Sequence, residues 1–209
     1  MTLEICWQNY KKKLSDSLSK VNSQEIQKLY SLIESSIKNE HEIHILGNGG
    51  SAANANHING DFTKTFSSYG KTIKISSHAD TTSYLTALAN DIDYSEVFTF
   101  LIPTRINKND LIIFLSGSGN SINLVKCAEK ANKYKINAVS LTGFDGGKLK
   151  NICENSIHVP INDMEIIEDI QLIIFHSIKQ ALCQDIENQG GIPISSPKYE
   201  KRIKSNEIA

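Results

Sequence analysis

The chain has 209 residues and a net charge of −1, from 22 Lys and Arg against 23 Asp and Glu. So even a balance excludes the basic footprint of a nucleic-acid binder and the charge excess of a membrane-surface protein. The length suits one domain with a sizeable core, and with only two arginines, Arg105 and Arg202, an arginine clamp for large polyanions is not expected.

Residues 3–37 predict two helices, with Leu14, Leu18 and Val21 at helical spacing in the first and Ile26, Leu29, Leu32, Ile33 and Ile37 in the second. The break falls near Asn22-Ser23, with Ser23 as the N-cap. From residue 42 the pattern alternates. Strands are expected at 42–46, 72–76, 111–115, 136–141 and 155–159, and helices at 51–65, 81–89, 94–102, 121–134, 146–152 and 164–187. Short apolar strands alternating with helices indicate an α/β fold with a parallel sheet covered on both faces. Residues 1–187 read as a single domain. The segment 188–209, with Gly190-Gly191, Pro193, Ser195-Ser196-Pro197 and a lysine-rich end, reads as a tail that is flexible or docks on a neighbour. The four cysteines show no close pairing, and Cys127, in an apolar helical run, reads as a buried thiol. With no apolar signal core and no run of membrane-spanning length, a cytoplasmic protein is expected.

Two loops stand out. Gly47-Asn48-Gly49-Gly50-Ser51 follows the first strand, and Ser116-Gly117-Ser118-Gly119-Asn120-Ser121 follows the third; each opens into a helix. A glycine-rich turn at a helix N-terminus presents several N–H groups and the positive end of the helix dipole to an anion. Serine hydroxyls add donors that rotate to suit phosphate oxygens. Two such loops point to a small phosphorylated ligand. Gly47-x-Gly49-x-x-Ala52 also satisfies the dinucleotide fingerprint, but the acidic residue expected at the end of the second strand comes late, at Asp80, and a nicotinamide enzyme leaves the serines of the second loop unexplained.

The chain resembles the sugar-isomerase (SIS) domain family, and within it the phosphoheptose isomerases. The resemblance rests on both loops, His57, Ala89-Asn90-Asp91, Leu141-Thr142-Gly143-x-Asp145-Gly146-Gly147-Lys148 and the last helix with His176. It implies a five-stranded parallel sheet flanked by helices, and a homotetramer with sites built from adjoining subunits. The implied reaction converts sedoheptulose 7-phosphate into a manno-heptose 7-phosphate for bacterial surface heptose. By the same resemblance Ser51, Ser116, Ser118 and Ser121 hold the phosphate, and Asn48 and Asp91 lie near the sugar hydroxyls. Gly49, Gly50, Gly117, Asn90 and Glu168 are also expected among the substrate-binding residues.

His57 and Asp61 share a face of one helix, four residues apart; Glu168 and His176 are eight apart on the last. The family has His, Glu, Gln and His at these four positions, and they can bind zinc. The histidines match, whereas Asp61 replaces Glu and Glu168 replaces Gln. Thr65 stands in place of a usual arginine, with Lys64 beside it. Two imidazoles and two carboxylates suit zinc or another divalent metal. The resemblance makes Asp61 the base that shuttles a proton between the first two carbons, and His176 the acid at the oxygen or a metal ligand. Taken singly, each residue has a plainer reading: His176 in the core, His57 capping or packing, Asp61 and Glu168 as solvated charges. His41, His44, His78 and His158 read as surface or structural. A sibling isomerase of another phosphosugar, or a non-catalytic SIS-domain regulator or adaptor, remains an alternative.

Overall fold

A computed structural model describes residues 2–194. Two helices, α1 (Leu3–Leu18) and α2 (Ser23–Lys38), precede the alternating core. Asn22 rather than Ser23 is the N-cap of α2, its side-chain oxygen accepting from the Gln24 amide at 2.9 Å. The core then runs β1 (Ile43–Gly47), α3 (Gly49–Ser68), β2 (Ile75–Ser77), α4 (Thr82–Asp91), α5 (Leu101–Thr104), β3 (Leu111–Ser116), α6 (Ile122–Tyr134), β4 (Asn137–Thr142), α7 (Gly147–Ile152), β5 (Asn155–His158) and α8 (Met164–Asn188). The five strands form one parallel sheet in the order β2-β1-β3-β4-β5.

Strand alternation divides the core. Ile43, Ile45, Leu111, Ile113, Leu115, Val139 and Leu141 face α2, α3 and α8, where they meet Ile58, Phe62, Ile170, Ile174 and Phe175. Leu46, Ile112 and Phe114 face the other way, onto Phe98, Leu124, Val125, Cys127 and Leu149. Both faces are covered, as a parallel sheet requires. Burial pushes the Cys127 thiol up to about 12, which leaves it an inert core residue.

Two segments differ from the sequence-based expectation. The expected helix over 94–102 is broken: a 3-10 turn at Tyr94–Glu96 is followed by the short α5. Asp93 caps the Ser95 amide at 2.7 Å, and Ile102, held extended at φ −102° and ψ 122° before Pro103, cannot continue a helix. The expected strand 72–76 is shortened and shifted to Ile75–Ser77. It lies at the sheet edge with only β1 to pair with, so nothing orders its first half into a ladder. Beyond α8, the Gly191 amide donates to Ile186 O and the Ile194 amide to Ser68 O, which brings the chain back against the end of α3. The rest of the expected tail, from residue 195, lies outside the described residues.

His44 and His78 are buried, in a chain of hydrogen bonds across the sheet. His44 Nδ1 meets His78 Nε2 at 2.9 Å, and His44 Nε2 meets Asp110 Oδ2 at 3.3 Å. Although burial works against it, the Asn107 and Glu42 amides and His44 hold Asp110 below the usual carboxylate range. Burial lowers His44 and, with His44 and Arg105 adding to it, pushes His78 down to about 3 from 6.5. A base with a depressed folded value binds its proton more readily when unfolded. Its contribution is therefore full above pH 6.5 and is lost as the pH falls from there toward 3. Stability at pH 5 is expected to be roughly 2 kcal/mol below that at pH 7 from His78 alone, with a flatter profile in His78→Gln. Urea unfolding at a series of pH values checks this; an equal slope in the variant would locate the acid sensitivity elsewhere.

Candidate active site

The sheet order reverses between β1 and β3, since β2 flanks β1 on one side and β3 on the other. Ligands of open α/β sheets bind beyond the carboxyl ends of the strands at such a switch point. Both glycine loops lie there, and a reciprocal amide pair ties them together. Asn48 donates to Asn123 Oδ1 at 2.9 Å, Asn123 donates to Asn48 Oδ1 at 3.0 Å, and the Tyr94 hydroxyl adds a bond to Asn48 at 2.8 Å. Asn123 is buried in the first turn of α6. Periodicity gave no hint of it, because a polar residue at a helix start reads as solvated.

The first loop turns through Gly49, at φ +54°, into the N-terminus of α3. Ser51 is buried there, its hydroxyl accepting from Gln171 Nε2 at 3.1 Å. Asn54, one turn on, donates to Gln171 Oε1 and to the Glu168 carbonyl, both at 2.9 Å. The Glu168 carboxylate accepts from the Ser51 amide and stands against Gly50, where a Cβ would come within 2.1 Å of Glu168 Oε2. Burial pushes the Glu168 carboxyl up, while the Ser51 amide pulls the other way. An internal carboxylate thus sits on the anion-favouring end of α3.

The second loop is braced from within and from below. Ser116 Oγ accepts from the Gly119 amide at 3.1 Å and Ser118 Oγ from the Asn120 amide at 3.2 Å. Gly117 O accepts from the Gly143 amide at 2.8 Å, and Asn120 Oδ1 accepts from the Lys148 amide at 3.1 Å. Ser121, the N-cap of α6, makes no side-chain capping bond. Asn90 and Asp91 lie in the last turn of α4, exposed and bonded to each other at 2.9 Å.

Helices α3 and α8 run side by side in the same direction: Ser51 meets Gln171, His57 meets His176, and Tyr69 meets Glu187 at 2.5 Å. His57 Nε2 and His176 Nε2 are 3.0 Å apart with the rings edge to face, and His176 Nε2 is 3.9 Å from Asp61 Oδ2. One ligand atom from each of His57, Asp61 and His176 lies within 4.8 Å of the others. Two ring nitrogens and a carboxylate oxygen suit a divalent ion such as zinc, with a coordination position left for a ligand. Glu168 does not join this cluster. It stands two turns back along α8, about 12 Å from His176 along the axis. Lys179, one turn past His176, places its ammonium 2.5 Å from Asp61 Oδ2. This pair went unread in the sequence, because the two residues are 118 positions apart.

A cavity of about 490 Å³ opens at the opposite end of the strands, lined by Lys38, His41, Phe66, Lys71, Leu182 and Asp185 among others. None of the candidate site residues lines it.

Comparison with known proteins agrees with this fold. The SIS domain model matches residues 7–143. The chain is 36% identical to the phosphoheptose isomerase of Helicobacter pylori (strain P12) over 178 residues, 85% of this chain and 90% of that one. It is 33% identical to the phosphoheptose isomerase of Aliarcobacter butzleri (strain RM4018), over 78% of this chain and 85% of that one. In fold it resembles the phosphoheptose isomerase of Neisseria gonorrhoeae, with a TM-score of 0.79 and 23% identity over 88% of this chain and all of that one. The chain belongs to the SIS domain family, on its phosphoheptose isomerase branch.

Proposed function

We propose that this protein is an aldose–ketose isomerase converting sedoheptulose 7-phosphate into D-glycero-D-manno-heptose 7-phosphate, toward bacterial surface polysaccharide. The observation that carries the reading is the pairing of α3 with α8. One pair of helices presents both the glycine turn at Gly49–Ser51, an anion-favouring helix end that in this structure draws the Glu168 carboxylate, and the cluster of His57, Asp61 and His176. A module that only bound phosphosugars would need the loops alone.

On this reading Ser51, Ser116, Ser118 and Ser121 donate to the phosphate, with the amides of Gly49, Gly50 and Gly117. Asn48, Asn90, Asp91 and Glu168 orient the sugar hydroxyls. Asp61 takes the proton from the carbon beside the carbonyl and returns it to the neighbouring carbon. His176 gives a proton to the carbonyl oxygen and accepts one from the adjacent hydroxyl, so the sugar is isomerised with no net change in atoms. Alternatively, His176 joins His57 and Asp61 in holding a divalent ion, zinc by the donor set, which would then polarise the substrate oxygen in place of the His176 proton.

The resemblance implies a homotetramer with sites built from adjoining subunits. Asp61 lies ten residues beyond Ser51 on α3, about 15 Å along the axis. On the implied assembly, the phosphate loops and the base that meet on one substrate come from adjoining copies. Four cysteines free of disulfides support a cytoplasmic setting, and among the described residues no helix is long and apolar enough to cross a membrane. One observation favours a second reading, a sibling phosphosugar as substrate: the Glu168 carboxylate adds negative charge where the family usually has a neutral amide.

The test is turnover of sedoheptulose 7-phosphate, with the metal content of the same preparation measured by mass spectrometry. Conversion with stoichiometric metal supports the reading; metal without conversion moves it to a sibling phosphosugar; neither moves it to a sensor or adaptor. Ser118→Ala is expected to weaken phosphosugar binding about fivefold with the fold intact, because one donor is lost from a braced loop. Calorimetric titration measures this, and an unchanged affinity would remove Ser118 from the phosphate site.

A further inference from the structure

Asp61 is not an unattended carboxylate. Lys179 reaches it from α8 with an N···O separation of 2.5 Å, and both side chains are 20% exposed, so the pair is shielded from much of the solvent. The same oxygen, Oδ2, is the one 3.9 Å from His176 Nε2. The carboxylate of the candidate ion-binding triad is therefore already seated on a cation that belongs to the chain. An ammonium is a compact point charge with three donors and no acceptor, so it can hold a carboxylate but cannot join it as a ligand. The burial of the pair keeps its charges from being fully screened.

By resemblance, Thr65 of the same helix stands in place of a usual arginine, with Lys64 beside it. Lys179 reaches Asp61 from the neighbouring helix, in line with the His57–His176 contact. We propose that Lys179 is a positioning residue that holds the Asp61 carboxylate and competes with a divalent cation for it. A cation entering the triad must share Oδ2 with the ammonium or displace it, and it meets the ammonium's repulsion in either case. Lys179 thereby sets how tightly the triad holds an ion. This rests on the reading of His57, Asp61 and His176 as an ion-binding site.

The test measures zinc affinity of the full chain, stripped of metal, by competition with a chromophoric chelator. Lys179→Met is expected to bind zinc about tenfold tighter than wild type, because a positive charge beside the ion is removed. Lys179→Arg, which keeps the charge, should stay within about threefold of wild type. Lys179→Gln keeps a donor without the charge and should tighten binding as Met does. It serves as the second neutral variant if the Met variant folds poorly. His57→Ala should lose most of the affinity. If His57→Ala weakens binding while both neutral Lys179 variants match wild type or bind more weakly, Lys179 is a structural ion pair and the proposal falls alone. If His57→Ala binds as wild type does, the ion-binding reading fails and takes the proposal with it.

Discussion

His176→Ala is expected to lower turnover of sedoheptulose 7-phosphate by about a thousandfold or more, the range for loss of a general acid or of a ligand that organises the site. The fold should survive. The side chain is 43% exposed, and the apolar residues that anchor this stretch of α8 (Ile174, Phe175 and Ile178) stay in place. Its contacts are with His57 and Asp61 rather than with the core. A change of this kind costs little stability, within about 1 kcal/mol. Steady-state rates with a parallel thermal melt check both halves. An active, stable variant would return His176 to the role of a helix-surface residue and leave the mechanism without its acid.

The second large effect is expected at Gly119, where backbone meets backbone. Its φ is +66°, and a Cβ there would fall 2.1 Å from Gly146 O and 2.7 Å from Gly146 C. Gly147, at φ +55°, is packed equally closely on the other side of the contact, its own Cβ position 2.5 Å from Ser118 O. Neither neighbour is a flexible side chain, so relief requires the two loops to separate. Gly119→Ala should cost about 3 kcal/mol or more, combining the left-handed penalty with the displaced loop. Phosphosugar binding should be lost with it, since the Gly119 amide that braces Ser116 would move. Gly60→Ala is the control. Gly60 lies within α3 with nothing near its Cβ position, so alanine there should be neutral or stabilising by up to about 1 kcal/mol. Urea unfolding and calorimetry on the two variants separate the cases. Equal stability of both would show that the loops at β3 and β4 give way easily.

The fold class could be read from the chain because it rests on local signals. Leu111-Ile112-Ile113-Phe114-Leu115 is apolar throughout because β3 is central and covered on both faces. The two glycine loops declare themselves because a strand-to-helix turn with amides exposed needs residues without a Cβ, as Gly49 and Gly119 show by their positive φ. The weak points were also local. At 94–102 the apolar spacing suggested a helix, but Asp93 and Pro103 broke it into a turn and a short piece. At 72–76 an edge strand with one neighbour had little to hold it to the expected register.

Of the site, the sequence by itself determined the candidates: serines and glycines in two loops, His57 four residues before Asp61, and His176 eight after Glu168. Which candidates meet was decided by how α3 and α8 slide against each other. That register comes from the packing of Ile58, Phe62 and Phe66 with Ile170, Ile174, Phe175 and Ile178, a jigsaw fit that no periodicity encodes. It sets His57 against His176, brings Lys179 to Asp61, and carries Glu168 to the N-terminus of α3, away from the triad. The Asn48–Asn123 pair and the His78–His44–Asp110 chain have the same origin. A buried polar residue is stable only where tertiary packing supplies its partner, so its place becomes visible when the sheet and helices are assembled.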